Sequence, residues 1–346
     1  MAPLLYDFMS ESHYEMTPYV NAWGGTPDKG FSQFLDLPRY STGYVTLFHT
    51  LGFMTETHML KPYNRRVEST YAYLLGVLDF LSKEGKTVVR HRNQAKELVK
   101  VQQQFPVTWK LDRSQHSDLL FKGYEPEYRV SEVTGQQRLK YNRNRPFERI
   151  VPYYNHYIPD IIVDKPDYYF VAQGWHDIIE RLQSNGVEIE QFERDTIIKV
   201  EVYYIEDYSS PDKPWEGHYF HSEVEVRKAS KQVQFYKGDY KIAVNQWVNR
   251  YIIETLEPQA ADSFFRWNYF DTILGQKEHY SAYVFEDYAK QLLADNPRLK
   301  TEFEEKRKSD PEFSKSSRAQ LDFIYQRSSH YEKEYRISHV FRYSVN

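Results

Sequence analysis

The hydrophobic period changes near residue 104, and no other feature of the chain constrains its fold as strongly. From Arg65 to Glu84, the residues Val67, Tyr71, Leu74, Leu75, Leu78 and Leu81 recur at the three-and-four spacing of an amphipathic helix. The helix is expected to start near Asn64 and to stop at Gly85. A more polar helical pattern, about 87–103, carries Val88, Ala95, Leu98 and Val99 and reads as a bridge. From Phe105 onward the apolar residues fall in short alternating runs, Thr108–Leu111, Leu119–Phe121, Tyr128–Val130 and Arg138–Tyr141. That is the pattern of half-buried strands, with turns expected at Gly123 and Gly135. Two units follow, residues 1–104 and residues 105–346, and a chain of 346 residues is long enough for both.

Within the first unit, a short helix precedes a loop punctuated by Pro18, Gly24, Gly25, Pro27, Gly30 and Pro38, and residues 43–59 read as the entry to a buried strand. Within the second, Tyr168–Val171, a helix over Trp175–Gln183, the pair Asn185-Gly186 and Val187–Phe192 form one β-α-β unit. Further strands are expected at 196–206, 219–228, 231–236 and 250–255. The pattern is helical again from Gln259 to Arg327, broken at Pro297 and Pro311, with Glu302–Lys308 as a solvated helix face.

Glu56 lies among Leu51, Phe53 and Met54. Burying an ionised carboxylate costs several kcal/mol, so such a residue is either paired, here with Arg65 or Arg66, or used in chemistry. The set Arg39, Ser41, Tyr44, Leu47, Phe53 and Glu56, followed by Lys61-Pro62-Tyr63 and a helix from Asn64, resembles the last strand and last helix of zinc carboxypeptidases of the carboxypeptidase A type. The resemblance covers residues 16–82. Leu256–Ser263 with Trp267 and Phe270, together with Trp175–Val187, resembles the C-terminal extension of larger bacterial members.

The resemblance implies an α/β fold, a partial carboxypeptidase-like mixed sheet with helices up to residue 104, followed by an α+β accessory domain. The activity it implies is metal-assisted hydrolysis of C-terminal peptide bonds, with Glu56 as the general base and a peptide as substrate. Arg39, with Tyr40 or Tyr44, is the candidate for holding the terminal carboxylate of the substrate, since a guanidinium fork and a phenol hydroxyl suit that group. His58, two residues beyond Glu56, is a candidate for steadying its carboxylate. Complete family members hold zinc through a His-x-x-Glu pair and a second histidine. Only His13 and His49 precede Glu56, and neither begins that pattern. The chain is therefore expected to be the C-terminal part of such an enzyme, to hold no zinc and to be inactive alone. Leu47, Phe53 and the apolar side of helix 65–84 are expected to be partly uncovered and to favour self-association. The competing expectation is a non-catalytic module that binds peptide or glycan through Tyr-rich loops.

His218 and His221 form a His-x-x-His pair flanked by Glu216 and Glu223. On the strand expected there, side chains three apart point to opposite faces, which favours surface histidines over a metal pair. The formal charge of −4, from 45 basic and 49 acidic residues without a basic block, argues against nucleic acid and anionic membrane as partners. With no cysteine, disulfide and thiolate chemistry are excluded. The first residues lack the basic start and apolar core of a signal peptide, and no run approaches the roughly 18 apolar residues of a membrane span. The compartment stays open, with a periplasmic or secreted location the expectation for full-length relatives. The 31 tyrosines are expected mainly to pack their rings while keeping their hydroxyls wet.

Overall fold

The two helical patterns of residues 64–103 form one continuous helix. In the computed structural model, which describes residues 1–22 and 25–345 and so leaves the expected breaker Gly24 outside, α1 spans Ala2–Glu11 and a 3-10 turn Pro27–Lys29. After them come β1 (Phe31–Ser32), α2 (Ser41–Thr46) and α3 (Tyr63–Val101). At 39 residues, α3 is about 58 Å long. Gly85 does not stop it. A glycine ends a helix where the chain turns left-handed, and Gly85 is not among the positive-φ residues. Its penalty of about 1 kcal/mol relative to alanine is small beside a helix of this length.

One side of α3 is covered by α1, through Leu5, Met9 and Tyr73, with Phe8 and Val77 packed against them. The close approach needs a glycine, because a Cβ on Gly76 would come within 2.8 Å of the Phe8 ring. Val67, Tyr71, Leu74, Leu78 and Leu81, roughly half a turn away, are all exposed. Phe53 is exposed as well, as expected, whereas Leu47 is fully buried.

The strand expected over 43–59 does not form. Residues 41–46 are helical, 47–49 turn, and 50–58 run without regular structure. Gly43 allows α2 to sit directly on the preceding chain, since a Cβ there would meet the Leu37 carbonyl at 2.2 Å. Beyond it the apolar run has strand composition but no neighbouring backbone to pair with, and strands exist only as members of a ladder. Among the described residues before 104, the two-residue β1 is the sole strand, so helices occupy the place of the expected partial mixed sheet.

After α3, the short strands β2 (Gln104–Pro106) and β3 (Trp109–Leu111) lead into a long hairpin of β4 (Ser117–Val130) and β5 (Gln137–Tyr154). Gly135 makes its turn with φ +69°, while Gly123 lies inside β4 rather than at a turn. β1 joins this hairpin parallel to β5. On the return, β6 (Tyr157–Pro159) pairs with β3 and β7 (Ile162–Asp164) with β2.

The central sheet begins with β8 (Tyr168–Val171), followed by α4 (His176–Ser184), β9 (Glu190–Gln191), β10 (Thr196–Ser209), β11 (Ser222–Phe235) and β12 (Tyr240–Ala243). Its order is β11-β10-β13-β8-β12-β9, with neighbours antiparallel throughout, and β13 (Val340–Tyr343) returns from the C-terminus into the middle. The β-α-β unit is therefore present, with β12 inserted between its two strands. The two strands expected at 219–228 and 231–236 are the single strand β11.

Residues 250–255, expected as a strand, form the helix α5 (Asn249–Leu256), of which all but Arg250 are buried. The aromatic and β-branched run Tyr251-Ile252-Ile253 reads as strand by composition, and eight residues are too few for length to decide between helix and strand. The chain then makes successive turns through 257–275, including a 3-10 turn Asp271–Ile273, where a helix start at Asp262-Ser263 was expected.

Four helices follow: α6 (Ala282–Asp295), α7 (Pro297–Ser309), α8 (Pro311–Lys315) and α9 (Ser317–Tyr325). Pro297 and Pro311 take the first helical position, as their fixed φ favours. Asn296, Asp310 and Ser316 cap α7, α8 and α9 by accepting from the backbone N–H three residues on. The chain thus belongs to the mixed α/β class. Its largest core gathers Leu47, Val99, Phe105 and Val107 with Tyr169, Leu182, Ile252 and Phe264, so segments on both sides of residue 104 contribute to it. Among the described residues, no helix is long and apolar enough to cross a membrane.

Candidate functional site

Glu56 and His58 lie on the open segment that precedes α3, and both are exposed. His58 turns inward on its own loop, where its Nδ1 accepts from the Leu60 N–H at 3.2 Å. Among the described residues Glu56 makes no hydrogen bond or ion pair, and the pairing expected with Arg65 or Arg66 does not occur: Arg65 bonds Glu68 instead.

Arg39 is built into a different site. Its backbone N–H and its guanidinium both bond the Asp262 carboxylate, at 2.9 and 2.8 Å, and the guanidinium also donates to the Ala261 carbonyl. The same group lies 4.3 Å above the Phe220 ring. Asp262 also accepts from Trp267 Nε1. Arg39 is consumed in this cluster, and it anchors the N-terminal segment to the turns after α5. Tyr40 packs edge-on against Phe34. Tyr44 donates to Asn185 and packs on Phe48 and Tyr251. The five expected site residues thus divide between an open loop, holding Glu56 and His58, and the segment 39–44, in which Arg39 is tied to Asp262 while Tyr40 and Tyr44 stay partly exposed.

The residues present do not fit a zinc ion. Among the described residues, no three His, Asp or Glu side chains are grouped so as to hold a metal. His49 donates Nε2–H to the Trp247 carbonyl at 3.0 Å, and burial lowers its pKa below the ordinary histidine value. Zinc needs about three protein ligands at a catalytic site, more than these residues bring together.

A polar cluster that the spacing of residues did not reveal lies inside the central sheet. Glu257, on the turn after α5, accepts from the hydroxyls of Tyr169 at 2.5 Å and Tyr203 at 2.7 Å, and lies 3.4 Å from the Arg342 guanidinium. Burial is the largest cause raising both phenols above their ordinary range, and the neighbouring Glu257 charge adds to it. All four residues are buried; both Glu257 oxygens accept a hydrogen bond, whereas Arg342 Nε makes only the 3.4 Å ion pair and no hydrogen bond. The cluster closes β8, β10 and β13 over α5.

The His-x-x-His pair also behaves differently from expectation. His221 is 2% exposed and immediately precedes β11, while His218 closes a tight turn with Trp215 through Glu216 and Gly217, both at positive φ. Both histidines face the same turn, residues 268–271. His221 Nε2 lies 2.8 Å from Asp271 Oδ1, and His218 Nδ1 lies 2.7 Å from Asn268 Oδ1. Asn268 Nδ2 donates in turn to Asp271 Oδ2. On the other side of the ring, His221 Nδ1 is 2.5 Å from Ser210 Oγ. The pair was visible in the sequence, but its partners were not, because they come from segments about 10 and 50 residues away.

No protein-family model, curated protein or solved structure matches this chain.

Proposed function

We propose that this chain serves a zinc carboxypeptidase-like reaction, hydrolysis of C-terminal peptide bonds, as the C-terminal part of a larger catalytic unit whose zinc ligands come from residues outside this sequence. One observation carries this reading: the segment bearing Glu56 and the apolar stripe of α3 that follows it are open together. Leu51, Met54, Met59 and Leu60 are exposed beside Glu56, and Tyr71 and Leu78 are both 62% exposed on α3. An exposed apolar surface of this extent marks a place where another surface sits. In this reading Glu56 accepts a proton from the attacking water, the role a carboxylate fulfils once held within about 3 Å of it. Arg39 positions the Glu56 segment through Asp262 rather than meeting substrate itself.

The test joins this chain to the polypeptide encoded directly upstream and compares it with the chain alone. Stoichiometric zinc and release of C-terminal residues from peptides are expected only in the joined protein, with activity lost in Glu56→Gln. Joined protein without peptidase activity, or with full activity in Glu56→Gln, rules the reading out.

A second reading, a non-catalytic binding module, is favoured by an open cleft of about 560 Å³ between β10, β11 and the segment 326–336. Tyr204, Tyr331 and Tyr335 line it together with Arg227, Lys231 and Arg336. Its volume is within the ordinary range for small-ligand sites. Peptide or oligosaccharide binding abolished by Tyr331→Ala, without any hydrolysis, distinguishes this reading from the first.

A further inference from the structure

We propose that Ser210, His221 and Asp271 form a second reactive centre, a serine–histidine–aspartate site that transfers acyl groups from esters to Ser210. It uses none of the residues invoked above. The argument begins with the histidine. His221 Nε2 faces a carboxylate oxygen, which only accepts, so the ring proton sits on Nε2 and the lone pair is left on Nδ1. That lone pair points at Ser210 Oγ, 2.5 Å away.

The imidazole is held so that it can point nowhere else. The His221 backbone N–H donates to the Arg266 carbonyl at 2.7 Å, and its carbonyl accepts from Arg266 Nε at 2.9 Å. Tyr208 and Phe265 lie against the ring, with centroids at 4.8 and 5.3 Å. Asp271 is oriented in its turn, because its second oxygen accepts from Asn268, whose amide oxygen is fixed by His218. Ser210, just past the end of β10, is exposed. A buried, oriented base thus lies between an exposed hydroxyl and a half-exposed carboxylate. Nucleophile, base and orienting carboxylate come from three separate segments and meet at hydrogen-bond distance, which is the geometric signature of an activated serine.

The chemistry balances without any further reagent. Ser210 Oγ bonds to the carbonyl carbon of an ester while its proton passes to His221 Nδ1, and Asp271 stabilises the imidazolium. As the carbon–oxygen bond to the leaving group breaks, the proton returns to that oxygen and an alcohol or phenol departs. Water then attacks the acyl-serine with His221 again as base, releasing a carboxylic acid and restoring Ser210. Trp215 and Tyr219, exposed on the loop between Ser210 and His221, favour esters with an aryl or apolar acyl part.

The test uses the full chain, a fluorophosphonate probe and 4-nitrophenyl acetate. Intact mass and peptide mapping are expected to show one phosphonyl group per chain, on Ser210, unaffected by a chelator. Ser210→Ala, at an exposed position, is expected to abolish labelling and the burst of nitrophenol. Asp271→Asn, with an unchanged circular dichroism spectrum, is expected to slow labelling at least tenfold, in line with the usual contribution of an oriented base, about 10²–10⁴. The proposal is overturned if Ser210 stays unlabelled in the folded protein, or if Asp271→Asn labels as fast as the unmodified chain. In either case the hydrogen bonds serve only to tie the loop 210–221 to the turn at 268–271.

Discussion

Glu254 makes the stability of this protein depend on pH in a direction opposite to that of most carboxylates. It lies within α5, 4% exposed, with Oε1 accepting from Arg250 at 2.8 and 2.9 Å. Burial pushes its carboxyl up to about 7 from an ordinary 4.5; Arg250 lowers it, and the nearby Asp262 charge adds to the rise. Below the ordinary value both folded and unfolded chains hold the proton, and between 4.5 and about 7 only the folded chain keeps it. The folded state then binds more protons than the unfolded state, so stability falls as pH rises through that window and levels off above it. A shift of this size is worth about 3 kcal/mol in full, and about 2.5 kcal/mol of it falls between about pH 5 and 8. The perturbation is Glu254→Gln, which keeps an oxygen for Arg250 and removes the titration. His49 and His339, whose pKa values burial lowers, weaken the fold as pH falls, but they do so in both proteins and cancel in the difference. Urea unfolding of both proteins at about pH 5, 6, 7 and 8 measures that difference. The variant is expected to gain about 2.5 kcal/mol on the parent from the lowest to the highest of these. A difference constant to within about 0.5 kcal/mol across the series would refute the reasoning.

Two further outcomes follow from packing. Replacing Leu74 and Leu78 by Glu removes apolar surface that is already exposed. It should reduce self-association in sedimentation velocity while changing stability by no more than about 0.5 kcal/mol per site, and an unaltered mass distribution would count against the stripe as the associating surface. Gly43→Ala places a Cβ against the carbonyls of Leu37 and Asp36, at 2.2 and 2.4 Å. Backbone atoms cannot yield as a side chain does, so a loss of about 1–3 kcal/mol and faster proteolysis within residues 30–60 are expected. Undiminished stability would show that α2 does not sit directly on the chain before it.

How much of this molecule was legible in its sequence follows from the range over which each signal acts. The helical side of residues 65–81, the strands β8 and β10, and the proline-started helices α7 and α8 were all visible. Each rests on periodicity or on a residue whose backbone angles are fixed locally. Gly85 misled because glycine only permits the turn that ends a helix, and the neighbouring residues on both sides favour continuing it.

The run around Glu56 and the run 250–255 were both read as strand, from the same β-branched and aromatic content. The structure leaves the first unpaired in an open segment and encloses the second as α5. Strand content is realised only where a second backbone supplies hydrogen-bond partners, and a short apolar run of β-branched residues suits a buried helix as well as a strand. The candidate sites divide in the same way. The resemblance pointed to Glu56 and Arg39, and the spacing of His218 and His221 drew attention to a pair that read as surface histidines. That Arg39 is committed to Asp262, and that Ser210, His221 and Asp271 come within reach of one another, was decided by tertiary packing. A side chain's role depends on which donors and acceptors the fold brings to within about 3 Å, and those partners lie far away along the chain.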